Sequence, residues 1–280
     1  MTIVTAAVFL GALGALLATM LIVAAKKFYV YEDPRIAQVE YALPGANCGG
    51  CGFPGCSGFA RHVVESRDPD ALCPPGGAEV QAAVAAILGM AASAAAPKTA
   101  QVRCKGTDAK ALSLGTYLGI HDCTAADLVM GGHKVCPYGC LGLGTCVKAC
   151  QFGALSIVDG IAIVDEGKCT GCTKCVAECP RGIINMLDKG PRVVVDCHSA
   201  DKGNAVKKYC QVGCFTCMIC VKKCPDEAIS VVKDIVVIDP QKCTHCGICI
   251  GLCPQDVING YHGAGAQPPA DEAAAAEVPS

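Results

Sequence analysis

The chain has 280 residues, with 24 Cys, no Trp, 17% charged residues and a formal net charge of −2. A cysteine content this high marks a cross-linked or metal-bearing chain, and its spacing excludes a secreted disulfide scaffold. Cysteines at CxxC distance are poor disulfide partners outside redox motifs, whereas CxxCxxCxxxCP is the run that wraps a cubane iron–sulfur cluster.

No charged residue occurs from Thr2 to Ala25, and Lys26 and Lys27 follow directly. About 20 apolar residues suffice to cross a bilayer as a helix. Val23, Ala24 and Ala25 loosely resemble a signal-peptide cleavage site, but the basic stretch that should precede the apolar run is missing. A retained single-pass anchor in the cytoplasmic membrane is therefore expected, with the N-terminus outside and the cysteines on the cytoplasmic side, because lysines follow the run. Ala7, Gly11 and Ala15, flanked by Gly14 and Ala18, have the small-residue spacing that lets another membrane helix approach.

Residues 43–58 read LPGANCGGCGFPGCSG, giving Cys48, Cys51 and Cys56, with Cys73 as a distal fourth. Three crowded thiolates and one remote thiolate can occupy the corners of one cubane, while the glycines allow backbone N–H groups close to sulfur. A four-Cys zinc site is the alternative, which the crowding and the glycine content disfavour. Residues 59–72 read as a helix leading to Cys73, and residues 76–100 as an Ala-rich helix followed by a linker.

The downstream sequence repeats itself after 74 residues. Cys123, Cys136, Cys140, Cys146, Cys150, Cys169, Cys172, Cys175 and Cys179 reappear as Cys197, Cys210, Cys214, Cys220, Cys224, Cys243, Cys246, Cys249 and Cys253. Between the two cysteine runs of each unit lies a hairpin pattern, ALSIVDGIAIVD at 154–165 and AISVVKDIVVID at 228–239. This is the layout of a two-cluster bacterial ferredoxin, in which the last Cys of each run crosses to the other cluster. The rule predicts Cys214, Cys217, Cys220 and Cys253 at one site, and Cys243, Cys246, Cys249 and Cys224 at its neighbour. In the first unit it predicts Cys169, Cys172, Cys175 and Cys150.

The remaining site is irregular, because Leu143 stands where the second unit has Cys217, and Gln151 replaces the Pro that follows a crossing Cys. Cys136, four residues before Cys140, is the natural substitute, so Cys136, Cys140, Cys146 and Cys179 are expected together. Five [4Fe–4S] clusters result. Cys104, Cys123, Cys197 and Cys210 are left over, either as buried small apolar residues or as ligands of a sixth cluster. Cys104, Cys123 and Cys197 are each followed four residues on by Asp108, Asp127 or Asp201, a pattern that suits a strand end running into an Asp-capped helix.

No dinucleotide fingerprint follows a strand, and the six His are scattered, so no catalytic residue and no substrate-converting site are expected in the isolated chain, and no nucleic-acid partner. Lys189, Arg192, Lys202, Lys207, Lys208, Lys222 and Lys223 gather in one stretch against Asp196 and Asp201; such a patch can steer an acidic redox protein to a cluster, or be an ordinary solvated surface. Units of about 60 residues have small cores, so clusters would act as staples.

The anchor, the GANCGGCGFPGC module, the CPYGCLGLGTCVKAC loop and the ferredoxin runs together resemble the B-subunit family of the Rnf ion-translocating ferredoxin:NAD oxidoreductase complex, over roughly residues 1–255. The resemblance implies electron relay between soluble ferredoxin and other membrane subunits, with flavin and NAD sites elsewhere, in a translocase-type enzyme complex. An iron–sulfur subunit of another membrane hydrogenase or dehydrogenase is the alternative, and a zinc-stabilised scaffold a third. The expected fold is α+β. It comprises a transmembrane helix at 1–27, a small mainly helical [4Fe–4S] module at 34–90 and a linker with a strand–helix segment at 91–122. Two tandem ferredoxin-like 2[4Fe–4S] domains at 123–190 and 191–260 and a disordered tail at 261–280 complete it.

Overall fold

The computed structural model describes residues 2–28, 31–68, 71–91 and 96–262. The tail expected from 263 onward lies outside them.

Helix α1 (Thr2–Lys27) is built from Ala, Leu, Val and Ile and ends on Lys26 and Lys27, which favour a helix C-terminus. Its segment Ala7–Lys27 has a mean hydropathy of 2.5, and none of it is buried against the rest of the chain. Water is a poor solvent for such a surface, and a bilayer is a good one. Helix α2 (Pro34–Ala42) starts on a proline, and the Asp33 carboxylate accepts from the Arg35 N–H at 2.9 Å. Helix α3 (Gly55–Ser66) begins four residues earlier than the sequence pattern suggests, because the Asn47 side-chain oxygen accepts from the Cys56 N–H at 2.8 Å and caps the entry. It stops earlier too. Arg67 turns left-handed at φ 51° and Pro69 disfavours helix at the residue before it. After a single 3₁₀ turn at Pro74–Gly76, helix α4 (Gly77–Leu88) closes the module and ends on left-handed Gly89. Val39, Phe59, Ala60, Val63, Val84 and Leu88 form the core shared by these three helices.

The segment expected to carry a linker, a strand and a helix at 91–122 supplies strand β1 (Lys98–Val102), while the helix begins only at Cys123. Then come α5 (Cys123–Leu128), α6 (Thr145–Ala149), β2 (Leu155–Val158), β3 (Ile161–Val164), α7 (Lys174–Ala177) and β4 (Ile184–Asp188). The second unit contains β5 (Pro191–Val195), α8 (Asn204–Tyr209), α9 (Ile219–Lys223), β6 (Ile229–Val232), β7 (Ile235–Ile238), α10 (Ile248–Leu252) and β8 (Ile258–His262). Strand β8 thus carries the ordered fold through Tyr261 and His262. Each unit has two two-stranded antiparallel sheets. An inner hairpin pairs β2 with β3 or β6 with β7, and an outer pair joins first strand to last, β1 with β4 and β5 with β8. The outer pairing explains why the segment before Cys104 belongs to the first ferredoxin unit. Without β1, strand β4 would have no partner.

Two-stranded sheets are marginal alone. Each unit adds only a small apolar core, Ala100, Val102, Leu155, Ile161, Ile183 and Ile184 in the first and Val193, Val195, Ile229, Val236, Val257 and Ile258 in the second. Cysteines complete both cores. The units join where the backbones of Cys104 and Cys197 pair in an antiparallel β-bridge and the Gln101 amide donates to Asp196 at 2.6 Å and to the Tyr261 hydroxyl at 3.2 Å. Burial pushes the Asp196 carboxyl up to about 6 against the hydrogen bonds from Asn259 and Gln101.

Candidate metal centres

Four short loops carry a shared backbone device. The residues on both sides of the middle cysteine take left-handed φ: Gly171 (75°) and Thr173 (65°) about Cys172, Thr216 (55°) and Met218 (65°) about Cys217, His245 (59°) and Gly247 (75°) about Cys246. In the irregular loop Gly142 (70°) and Gly144 (80°) flank Leu143 in the same way. Left-handed residues alternating with residues of negative φ curl the chain so that successive N–H groups can point inward, a concavity that suits an anion. Non-glycine residues adopt this conformation at a cost of about 1 kcal/mol or more each, so the repeated geometry marks a functional demand. Each loop runs straight into a short helix, α7, α9, α10 or α6.

Cysteines gather into groups of four. Cys48, Cys51, Cys56 and Cys73 line one cavity; Cys150, Cys169, Cys172 and Cys175 a second; Cys224, Cys243, Cys246 and Cys249 a third. Cys214, Cys217, Cys220 and Cys253 are close enough to feel one another's charge. The cavities have volumes of about 310 to 420 Å³ and are open in part to solvent.

The irregular site differs from the sequence expectation. Cys140, Cys146 and Cys179 share their cavity with Cys123, and Cys136 is absent from its lining. Cys123 is pinned there by its neighbours: its N–H donates to the Thr145 hydroxyl at 2.6 Å, that hydroxyl donates to the Asp122 carboxylate at 3.0 Å, and the same carboxylate caps α5 by accepting from the Ala125 N–H at 2.9 Å. Thr145 opens α6 directly before Cys146, so the network sets Cys123 beside it. Helix α5 is therefore capped by Asp122. Asp127 binds Arg181 at 2.6 Å and Asp108 pairs with buried Lys134 at 3.3 Å, so neither is a cap.

Cys136 lines another cavity, with Cys104, Cys197 and Cys210. This fold equates Cys104 with Cys197, since each follows the outer strand of its unit. Each sulfur also accepts from a backbone N–H at 3.4 Å, that of Cys140 and of Cys214 respectively. Cys104 lies 93 residues before Cys197, 19 more than the repeat. The first unit therefore contains a 19-residue insertion between Cys104 and Cys136, and Cys123 lies within it. The 74-residue alignment paired Cys123 with Cys197 and concealed this.

All 24 cysteines thus fall into six groups of four. Burial, reinforced by neighbouring thiolates, pushes Cys73, Cys136, Cys140, Cys175, Cys214 and Cys249 up to about 11 and Cys146 up to about 12. Thiolates this disfavoured need a cation, so loading the sites must release protons. Among the described residues no group of three or more His, Cys, Asp or Glu is placed to hold a single metal ion. Sulfurs spread around a cavity suit a four-iron cluster, whereas one zinc draws its sulfurs to about 2.3 Å. The Ala100 and Ala154 N–H groups donate to the Cys169 and Cys150 sulfurs at 3.4 Å, the kind of hydrogen bond that tunes an iron–sulfur centre.

The basic stretch does not form one patch. Arg192 is buried, paired with Glu166 and stacked 4.7 Å over Tyr261, while Lys189 donates to the Cys169 carbonyl at 2.7 Å and Lys202 pairs with Asp234 at 2.6 Å. Lys207, Lys208, Lys222 and Lys223 remain exposed, and Cys217 is exposed on the same unit.

Known proteins resemble this chain in sequence. An iron–sulfur cluster family matches residues 43–75, a 4Fe-4S dicluster domain family residues 213–257 and a 4Fe-4S binding domain family residues 161–184. The chain is 44% identical to the B subunit of the Na⁺-translocating ferredoxin:NAD⁺ oxidoreductase complex of Acetobacterium woodii, over 84% of this chain and 71% of the relative. It is 43% identical to the B subunit of the ion-translocating oxidoreductase complex of Methanosarcina acetivorans, over 84% and 89%. With the B subunit of the proton-translocating ferredoxin:NAD⁺ oxidoreductase complex of Clostridium ljungdahlii it shares 41%, over 86% of each. The chain belongs to this Rnf-type B-subunit family. It is an iron–sulfur electron-transfer subunit of an ion-translocating oxidoreductase complex, and helix α1 and the family together point to membrane association.

Proposed function

We propose that the chain holds six [4Fe–4S] clusters, one for each group of four cysteines, and passes electrons between soluble ferredoxin and membrane subunits of a complex that reduces NAD⁺ and moves ions. The grouping of every cysteine into a set of four carries this reading. It replaces the five-cluster expectation, with Cys123 in the irregular site and Cys104, Cys136, Cys197 and Cys210 forming a sixth at the joint between the ferredoxin units. Clusters bound there would supply one-electron chemistry at each site. The protein's own part is to bury the sulfurs, aim N–H groups at them and fix the spacing between sites. Exposed Lys207, Lys208, Lys222 and Lys223 on the same unit as exposed Cys217 suit an acidic ferredoxin, and Lys26 and Lys27 after the apolar run support a cytoplasmic location for the cysteines.

The test uses the purified membrane complex. Reduced ferredoxin should bleach the broad visible absorption of this subunit, and NAD⁺ should restore it. A colourless, dithionite-insensitive subunit would refute the reading.

A further inference from the structure

Neighbouring sites meet in turn, beginning in the second unit, where Cys249 lies within electrostatic reach of Cys220. The Cys214 N–H donates to the Cys197 sulfur and the Cys140 N–H to the Cys104 sulfur, each at 3.4 Å. The joint between the units thus touches the second unit on one side and the irregular site on the other. Cys146 of the irregular site lies within electrostatic reach of Cys175 in the next one. Beyond the first ferredoxin unit remains only the membrane-proximal module. Its helices α3 and α4 both pack on α2, and among the described residues the module approaches the ferredoxin unit closely at the following point.

That point is Gly50, between Cys48 and Cys51. A Cβ built there would stand 2.6 Å from the Cys172 carbonyl oxygen, 3.0 Å from the Cys172 Cα and 3.1 Å from its carbonyl carbon. All three atoms are backbone of a cluster-binding loop and cannot swing aside. Gly50 does not have left-handed φ, unlike Gly49, Gly52 and Gly55, so its own turn does not require glycine. The requirement comes from across the interface. A loop carrying two ligands of the module site lies backbone to backbone against the loop carrying Cys172, and Cys48 sits close enough to Cys172 for their charges to interact.

We propose that Gly50 is a positioning residue for electron transfer: its missing Cβ lets the module loop rest on the Cys172 loop, making this contact the junction between the module and the ferredoxin units. Electrons then leave or enter the wire's membrane end through the Cys172 site, each hop oxidising one centre and reducing its neighbour by one electron. The proposal rests on the cluster reading above and adds a route to it.

The test is a Gly50→Val substitution in the full chain within its membrane complex. Native iron content, together with weakened magnetic coupling between the reduced module cluster and its neighbour in electron paramagnetic resonance, would support the junction. So would slowed ferredoxin-driven reduction of the module cluster while the other clusters reduce normally. Unchanged coupling and unchanged reduction at native iron content would overturn it. If Gly50→Val loses iron, pulsed distance measurement on the unmodified complex decides: the module cluster's nearest neighbour must be the one held by Cys150, Cys169, Cys172 and Cys175, and any other nearest neighbour overturns the proposal. Absence of any cluster signal in the unmodified complex would instead sink the underlying cluster reading.

Discussion

Replacing Cys123 by Ala should remove one cluster, and adding Leu143→Cys to that variant should restore it. Leu143 occupies the repeat position of Cys217, and the backbone on either side of both residues is left-handed, Gly142 and Gly144 in one loop, Thr216 and Met218 in the other. A cysteine at 143 therefore has the loop geometry that presents Cys217. Glycines on both sides let the loop reach it without the strain that Thr216 and Met218 bear. With about four irons per site, the six-site chain holds about 24, the Cys123→Ala variant about 20, and the double variant about 24 again. Stability should follow, because buried Cys140 and Cys146 would be left around an unfilled cavity without their cation. The assay is iron and acid-labile sulfide per chain on purified protein, with electron paramagnetic resonance to identify the missing signal. Full iron in Cys123→Ala, accompanied by loss of the irregular site's signal in Cys136→Ala, would refute the assignment and return Cys136 to that site.

The Arg103 guanidinium is half-sequestered at the joint, donating to the carbonyls of Val195 (3.3 Å), Cys197 (3.1 Å) and Val236 (3.2 Å). Arg103→Met strands these acceptors and should destabilise the holoprotein by roughly 3 kcal/mol, read as a lower urea midpoint. Lys222→Glu with Lys223→Glu should slow reduction by ferredoxin by about tenfold or more at low salt, with the deficit shrinking as salt is added, in stopped-flow absorbance. Iron chelation should unfold both ferredoxin units, seen as loss of far-ultraviolet circular dichroism, since each unit has two isolated two-stranded sheets and a small apolar core. A chelated sample with native dichroism would contradict that.

The regular parts of this molecule were legible because they obey local rules. An apolar run ending in lysines reads as α1, and Asp159–Gly160 between β-branched runs reads as the β2–β3 turn, where both residues have positive φ. Grouping Cys214 to Cys224 with Cys243 to Cys253 needs only the ferredoxin spacing. What escaped was non-local. The strand expected within 91–122 is β1, but its membership in the first ferredoxin unit escaped, because its partner β4 lies far down the chain and an outer sheet pair has no turn signal to announce it. The place of Cys123 depends on the Asp122 and Thr145 network, and that of Cys104 on equivalence through outer strands; a repeat of fixed length cannot register a 19-residue insertion. The β-like segments read before both Cys104 and Cys197 were the signal that could have equated the two. Part of the basic stretch also read wrongly as surface, since Arg192 is buried by its pairing with Glu166 and its stacking on Tyr261.

Counting metals in the native full-length protein tests the central claim most directly. Elemental analysis with acid-labile sulfide should return about 24 iron and about 24 sulfide per chain with negligible zinc, four of each for every group of four cysteines. A value near 20 would leave Cys104, Cys136, Cys197 and Cys210, or the Cys123 set, without a cluster, and stoichiometric zinc in place of iron would contradict the account altogether.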